Sequence, residues 1–176
     1  MNDYEHTETL KAIKTATQME IEGKAYYLEC SENSTSDLGK KLFNSLAKEE
    51  DYHRKKFDDI YNKIRTKKSW PKSDFVPDGG SSLRTVFARA LGRPEKLEAA
   101  QSEIDAVQTA IDMEASTLDF YRERLSTAKY DAEKEFYEAL AGQEREHQLI
   151  LNDYYEYLKD PASWYTLKEH HSMDGG

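Results

Sequence analysis

The sequence predicts an all-α protein: a four-helix bundle made of two repeated helical hairpins, with a long crossover between helices two and three. Three observations lead to this prediction. Apolar residues recur at the spacing of one helix face along most of the 176 residues. The few prolines and glycines fall mostly in one central stretch. The second half of the chain also repeats the pattern of the first.

Local sequence features indicate where the second and third predicted helices begin. Asp37 is suited to the N-cap or the first turn of the second helix, and Pro94 suits the first turn of the third. The links SENSTS and STAKY are short, so the two helices that each link joins should be antiparallel neighbours. The four predicted helices cover residues 6–32, 37–66, 95–127 and 131–158.

The central stretch predicts a connector between the two hairpins. It has the sequence KKSWPKSDFVPDGGSS and is followed by SLRTVFARALG, whose apolar spacing allows a short helix of its own. A connector of this length is typical of four-helix bundles that contain a crossover.

The charge balance excludes several classes of function. The 34 acidic and 25 basic residues give a net charge of −9 with an isoelectric point near 5.1, so the chain should repel nucleic acid. No apolar run approaches the roughly 20 residues that cross a bilayer, and the N-terminus lacks the features of a signal peptide. We therefore expect a cytoplasmic protein of one domain, residues 1–176, with neither a nucleic-acid nor a membrane partner.

The single cysteine limits the kinds of metal site that the chain can build. Cys30 alone cannot form an intrachain disulfide framework, a zinc ribbon or a tetrathiolate iron site, because all of these need paired thiolates. Any metal ligands must therefore come from Glu, Asp and His.

The two halves of the chain are related by a constant shift of 94 positions (114 − 20) without a gap. The period is much longer than that of solenoid repeats, and only two copies are present. The halves are therefore interpreted as one duplicated hairpin that closes into a bundle with pseudo-twofold symmetry. The equivalent pairs include Met19 and Met113, Glu20 and Glu114, Tyr27 and Tyr121, Glu50 and Glu144, and His53 and His147.

Two Glu-x-x-His motifs occupy equivalent positions of this repeat. The spacing puts a carboxylate and an imidazole one turn apart on one helix face, where both can bind the same metal. Each motif begins 30 residues after a glutamate on the preceding helix (50 − 20 and 144 − 114). The candidate metal ligands are Glu20, Glu50, His53, Glu114, Glu144 and His147.

All four of these glutamates lie in the apolar stripes of their helices when successive residues are placed about 100° apart around the helix axis. Four buried carboxylates without a counter-charge would consume the stability of an ordinary domain. Two divalent ions, roughly 3 to 4 Å apart, would compensate them. Neighbouring acids that turn sideways or outward are interpreted as surface charges; these are Glu22, Glu49, Asp51 and Glu146.

The paired motifs and the long crossover resemble those of the ferritin-like diiron carboxylate superfamily. Within it, the segments EIEGKAYYLE, LFNSLAKEEDYH and DPASWY resemble the rubrerythrin family, and the resemblance covers nearly the whole chain. It implies a single ferritin-like, rubrerythrin-type diiron domain over residues 1–176. The ligands that it implies are Glu20 and Glu114 at the two ends, Glu50 and Glu144 as bridges, and His53 and His147, one for each metal.

Two tyrosines lie at equivalent positions near the candidate ligands in the sequence. Tyr27 and Tyr121, seven residues after the terminal glutamates, are either hydrogen-bond donors to ligand carboxylates or plain core residues.

The sequence departs from the rubrerythrin pattern in two ways. Rubrerythrins usually carry a rubredoxin-like domain, which the single cysteine excludes within this sequence. Rubrerythrins also carry an additional Glu three residues after the third-helix ligand, where this chain has Thr117; the equivalent position of the first helix is Gly23.

The leading function hypothesis is a non-haem diiron oxidoreductase that reduces peroxide or dioxygen with electrons from an external donor. The alternatives are an iron-binding, ferroxidase-like protein of iron handling, a diiron hydroxylase of an organic substrate, and a metal-free structural bundle. Iron is preferred to manganese or another divalent metal by the family resemblance, since the ligand set suits both. The same resemblance, with a supply of aromatic residues suited to interfaces, leads us to expect a homodimer.

Overall fold

A computed structural model of the chain describes residues 1–91 and 101–164. These residues form helices without any strand, which confirms the all-α prediction, and the short helix expected in the central stretch is present. Pro94 and the predicted start of the third helix at residue 95 lie outside the described residues. The helices are α1 (Asp3–Asn33), α2 (Asp37–Lys67), α3 (Ser81–Leu91), α4 (Gln101–Thr127) and α5 (Asp131–Lys159), with a last helical turn at residues 161–164.

Polar side chains define where the first hairpin begins and turns. Asn2 and Glu5 form a reciprocal capping box at the start of α1. Ser36 caps α2 by accepting a hydrogen bond from the backbone N–H of Gly39, and Asp37 is the acid of the first turn. The short turn between α1 and α2 is thus fixed by local hydrogen bonds rather than by glycine.

Two apolar clusters, one at each end of the bundle, give the direction of the four long helices. The lower cluster holds the start of α1, the end of α2, the end of α4 and the start of α5; the upper cluster holds the opposite ends. Helices α2 and α4 are therefore parallel, and their connection must travel the length of the bundle. The lower cluster includes Ile13, Phe57, Ile64, Tyr121, Phe136 and Tyr137, and the upper cluster includes Tyr27, Leu42, Phe43, Val107, Leu151 and Tyr154.

The crossover joins these two clusters along one side of the bundle. Trp70 and Phe75, at its beginning, pack in the lower cluster, whereas Leu83 and Phe87 of α3 pack in the upper cluster. Arg84 of α3 also pairs with Glu146 of α5. In the parts of the chain that the structure describes, every helix is too short or too polar to span a lipid bilayer.

A buried glutamate ties α4 to the turn between α1 and α2. The Glu103 carboxylate accepts hydrogen bonds from Ser34 Oγ at 2.5 Å, Thr35 Oγ1 at 2.8 Å and Tyr154 Oη at 2.8 Å. Burial would raise the pKa of Glu103, but the hydrogen bonds from Ser34, Thr35 and Tyr154 bring it below its usual value. The carboxylate is therefore fully partnered and has a structural role.

Replacement of Gly39 by Ala should destabilise the protein, because there is no room for a side chain in this hydrogen-bonded corner. A Cβ at position 39 would overlap the hydroxyls of Ser34 and Tyr154 and lie 2.7 Å from Glu103 Oε1. We expect Gly39→Ala to lower the free energy of unfolding by about 1–3 kcal/mol, measured by urea denaturation.

Gly142 of α5 provides the matched control, since a Cβ there would meet nothing within 4 Å. Gly142→Ala should raise the free energy of unfolding by about 0.5–1 kcal/mol, because alanine is the better helix former. Equal effects of the two substitutions on the free energy of unfolding would show that crowding around position 39 does not determine the effect of Gly39→Ala.

Candidate metal centre

The six predicted side chains meet in the middle of the bundle, between the upper and lower clusters. None of them is more than 4% exposed. Glu20 comes from α1, Glu50 and His53 from α2, Glu114 from α4, and Glu144 and His147 from α5.

Helical periodicity explains why these polar side chains point inward. On α2, Glu50 and His53 continue the buried stripe that runs from Leu46 to Phe57. The same stripe on α1 contains Ala16, Glu20 and Tyr27. Each ligand candidate therefore replaces one apolar residue of a core-facing stripe.

The ring of His53 lies against three carboxylates. Its Nδ1 atom is 3.2 Å from Glu144 Oε1, 3.3 Å from Glu20 Oε2 and 3.9 Å from Glu50 Oε2. The Nδ1 nitrogen, rather than Nε2, therefore faces the cluster.

The ring of His147 repeats this arrangement in the other half. Its Nδ1 atom is 3.1 Å from Glu144 Oε2, 3.2 Å from Glu50 Oε1 and 3.4 Å from Glu114 Oε1. The rings of His147 and His53 are nearly parallel, with centroids 5.7 Å apart. The pseudo-twofold relation in the sequence is thus also present in the cluster.

The cluster consists of two overlapping groups of potential ligand atoms. In each group the four atoms lie within 4.8 Å of one another. Both groups contain Glu50 and Glu144, so two neighbouring metal positions would share these two carboxylates. The first group is Glu20, Glu50, His53 and Glu144, and the second is Glu50, Glu114, Glu144 and His147.

Two buried tyrosines cross between α1 and α4 to reach the outer carboxylates. Tyr27 of α1 donates to Glu114 Oε1 of α4, and Tyr121 of α4 donates to Glu20 Oε1 of α1. These reciprocal hydrogen bonds join the two hairpins and hold one oxygen of each outer carboxylate. The tyrosines thus contribute to the cluster as well as to the core.

The cluster contains buried polar atoms without hydrogen-bond partners. Within the described residues these include Glu50 Oε1, both oxygens of Glu144, and His147 Nδ1. Carboxylate oxygens lie close to His147 Nδ1, yet none is aligned with the ring as a hydrogen bond requires. Nitrogen and oxygen lone pairs at these atoms suit divalent metal ions of the iron and manganese type. The buried cluster therefore fits a diiron site.

Burial and mutual repulsion raise the pKa of two of the carboxyl groups. Burial raises the pKa of Glu50 well above its usual value, and the Glu20 and Glu144 carboxylates raise it further. Burial and the neighbouring Glu144 raise the pKa of Glu114 to about 8. Both groups thus favour the protonated form when the only counter-charges are imidazoles.

The pKa of the two imidazoles is raised as well, so they also retain protons. Burial opposes the charged form, but the surrounding carboxylates raise the pKa of His53 and His147 well above the usual value. Burial also opposes ionisation of Glu144, yet the two imidazoles lower its pKa. In the absence of metal, protons provide the positive charge that the cluster needs.

The interpretation of Glu49 as a plain surface charge is wrong. Its Oε2 atom lies 2.9 Å from His147 Nε2 and accepts a 2.6 Å hydrogen bond from Gln143 Nε2. Glu49 does turn sideways on α2, but the ring of His147 extends from α5 far enough to meet it. Glu49 and Gln143 occupy equivalent positions of the repeat (143 − 94 = 49), but helical periodicity alone does not indicate that they meet.

The other neighbouring acids lie away from the cluster. Glu22 is exposed and accepts a hydrogen bond from Gln18. Asp51 forms ion pairs with Lys24 and Lys55, and Glu146 pairs with Arg84 as described above.

Neither position of the missing additional glutamate supplies a further ligand. Thr117 Oγ1 donates to the carbonyl of Met113 in its own helix. A Cβ at Gly23 would lie 3.5 Å from Glu50, at ordinary contact distance. The described cluster is therefore built from six ligand candidates.

A cavity of about 210 Å³ opens beside the cluster, on the side that the crossover covers. Most of its exposed wall is apolar, and His53, one of the ligand candidates, forms part of that wall. Its lining includes Tyr52, His53, Phe75, Val76, Glu49 and Gln143.

Comparison with known proteins agrees with the resemblance noted in the sequence. The rubrerythrin family profile matches residues 11–86, which include Glu20, Glu50 and His53. No curated protein and no solved structure matches the chain. The rubrerythrin resemblance is therefore confirmed, and the profile carries it over residues 11–86.

The metal-free protein should lose stability as the pH rises from about 5 to about 8. In this range Glu50, Glu114 and the two histidines bind more protons in the folded chain than in the unfolded chain, because their folded pKa values are raised. The lowered pKa of Glu144 acts in the opposite sense, but its contribution is lost only as the pH falls below the unfolded value of about 4.5.

Thermal melts with a chelator present would measure this dependence. A melting temperature that increases across the same pH range would contradict the protonation scheme of the cluster.

Proposed function

We propose that this rubrerythrin-like chain binds two iron ions in the buried cluster and reduces peroxide or dioxygen with electrons from an external donor. The observation that carries the proposal is the sharing of Glu50 and Glu144 by two adjacent groups of ligand atoms. Two iron ions held side by side would be able to supply two electrons to one O–O bond.

The charges of the cluster support two divalent ions rather than one. Four carboxylates carry four negative charges, which two divalent ions balance while both imidazoles remain neutral. In the proposed assignment Glu20 and His53 hold one ion and Glu114 and His147 hold the other. Glu50 and Glu144 lie between them.

The remaining residues of the centre orient these ligands and exclude water. Tyr27 and Tyr121 hold the outer carboxylates by donating to one oxygen of each. The upper and lower clusters close the bundle above and below the centre. Charge interactions at the centre are therefore strong, because the surroundings are apolar.

The cavity beside His53 supports access by a small molecule from outside the bundle. It lies between the crossover and helix α2, where Phe75 and Tyr52 stack with their centroids 5.6 Å apart. Peroxide and dioxygen are small enough for this cavity.

The size of the same cavity favours a second candidate function, oxidation of a small organic substrate. Its volume of about 210 Å³ exceeds the roughly 150 Å³ that suffices for a benzene ring in an engineered cavity. An aromatic or aliphatic molecule could rest against Phe75 and Val76. With dioxygen and a two-electron reductant supplied, one oxygen atom would enter the product and the other would leave as water; a hydroxylated product identified by mass spectrometry would support this candidate.

Steady-state kinetics would test the leading proposal. The protein is loaded anaerobically with ferrous iron, a chemical reductant is kept in excess, and hydrogen peroxide consumption is followed. Sustained turnover far beyond the iron present supports peroxide reduction. Oxidation that stops after the bound iron is consumed would contradict it and favour iron handling.

Loss of either shared carboxylate should abolish the dinuclear site. We expect Glu50→Ala and Glu144→Ala each to reduce bound iron from two ions per chain towards one or none, because the remaining ions would repel each other with one carboxylate fewer between them. Metal content after dialysis, measured by elemental analysis, checks this expectation.

Glu22→Ala is the matched control, since Glu22 is an exposed glutamate of α1 that lies away from the cluster. It should retain both ions. The ligand assignment is wrong if Glu50→Ala and Glu22→Ala proteins hold the same amount of metal.

A further inference from the structure

The two halves of the cluster differ in what surrounds their histidines. Glu49 Oε2 lies 2.9 Å from Nε2 of His147, on the opposite side of the ring from the nitrogen that faces the cluster. The His147 side chain is 0% exposed, and the Glu49 side chain is 18% exposed. The Glu49 carboxylate, at the edge of the buried centre, therefore contacts the His147 ring at the nitrogen that faces away from the cluster.

This contact fixes both the orientation and the tautomer of the His147 ring. A carboxylate is an acceptor, so a neutral imidazole beside it carries its proton on Nε2. Its Nδ1 lone pair then faces Glu50, Glu114 and Glu144. Hydrogen bonds of this kind, from a metal-binding imidazole to a carboxylate, hold the ring in place and make the nitrogen a better ligand.

Glu49 is itself held in position. Gln143 Nε2 donates to Glu49 Oε2 at 2.6 Å and is 3.4 Å from Asp78 Oδ1 of the crossover. The Gln143 side chain is buried, and it lies one turn before His147 on α5. The amide thus keeps the Glu49 carboxylate against the ring.

The other half of the repeat does not provide the same contact. The position equivalent to Glu49 is Gln143, whose amide nitrogen is directed to Glu49. The ring of His53 instead meets the edge of Phe75, with centroids 5.5 Å apart, and the tilted ring of Tyr52. Within residues 1–91 and 101–164, no carboxylate is hydrogen-bonded to Nε2 of His53.

We propose that Glu49 is a positioning residue that makes the metal position at His147 and Glu114 the tighter of the two. The two ions then bind in order, first beside His147 and second beside His53. The inference rests on the proposed function, since it requires that the cluster binds two ions. Ordered binding would also let the chain hold one ion alone or two different metals.

A titration of the metal-free protein with Mn²⁺ tests the order. Manganese avoids oxidation during the measurement, and electron paramagnetic resonance separates free ions, single bound ions and coupled pairs. The wild-type protein should bind in two steps whose dissociation constants differ by roughly 10- to 100-fold, the range typical for loss of such a supporting carboxylate. The coupled-pair signal should appear only in the second step.

Two variants of Glu49 separate a hydrogen bond from a simple effect of charge. Glu49→Gln keeps the size of the side chain but removes the carboxylate, and it should weaken the first step by roughly 10-fold or more. Glu49→Asp keeps the charge but withdraws it by one methylene, and it should weaken the first step as well. Glu22→Gln removes a charge from the exposed surface of α1 and should change neither step.

The outcomes distinguish the possible failures. The inference is overturned if Glu49→Gln leaves both steps unchanged, if it weakens both equally, or if Glu49→Asp binds like the wild type. A wild-type protein that binds no Mn²⁺ and no ferrous iron would overturn the proposed function together with the inference.

A second measurement does not depend on the folding of any variant. Crystals of the wild-type protein grown with one equivalent of Mn²⁺ should show anomalous scattering beside His147 and Glu114. Equal anomalous scattering at both positions would overturn the inference.

Discussion

The rest of the structure depends on one constraint: four carboxylates lie in the apolar middle of a helical bundle. In the metal-free protein, burial and the repulsion among these carboxylates raise the pKa of Glu50 and Glu114. The same carboxylates keep protons on the two imidazoles, although burial opposes the charged form. The apolar clusters above and below supply the stability that such a centre removes. The tyrosines that cross between α1 and α4 hold the outer carboxylates at the same time as they join the hairpins.

Duplication of a hairpin explains the symmetry of the centre, and the crossover explains where that symmetry ends. Because α2 and α4 are parallel, the chain needs one long connection between them, and this connection can cover only one side of the bundle. That connection puts Phe75 against His53 and brings Asp78 close to Gln143. His147 instead meets the carboxylate of Glu49. The two halves have equivalent ligand candidates, but their surroundings are different.

The helices and the six-residue cluster could be predicted from the sequence because both follow from periodicity within single helices. Glu50 and His53 replace apolar residues on one stripe of α2, and the repeat supplies the same pattern on α5. The contact of Glu49 could not be found this way, because a helical projection does not show how far a ring on another helix extends. The inward direction of Glu103 does follow from periodicity, since it lies one turn before Val107 on the buried stripe of α4.

Within residues 1–91 and 101–164, no lysine or arginine pairs with the carboxylates of the centre. In the described parts of the chain, the ion pairs of these residues are formed with acids outside the cluster, as Lys24 and Lys55 do with Asp51. A lysine or arginine inside the bundle would neutralise the carboxylate charge permanently, since it is part of the chain. Protons and metal ions can be exchanged, and both require the same oxygen and nitrogen lone pairs. Under the proposed function the cluster therefore has two alternative sets of counter-ions, and each metal ion that binds must displace protons from the carboxyl groups and imidazoles that it contacts.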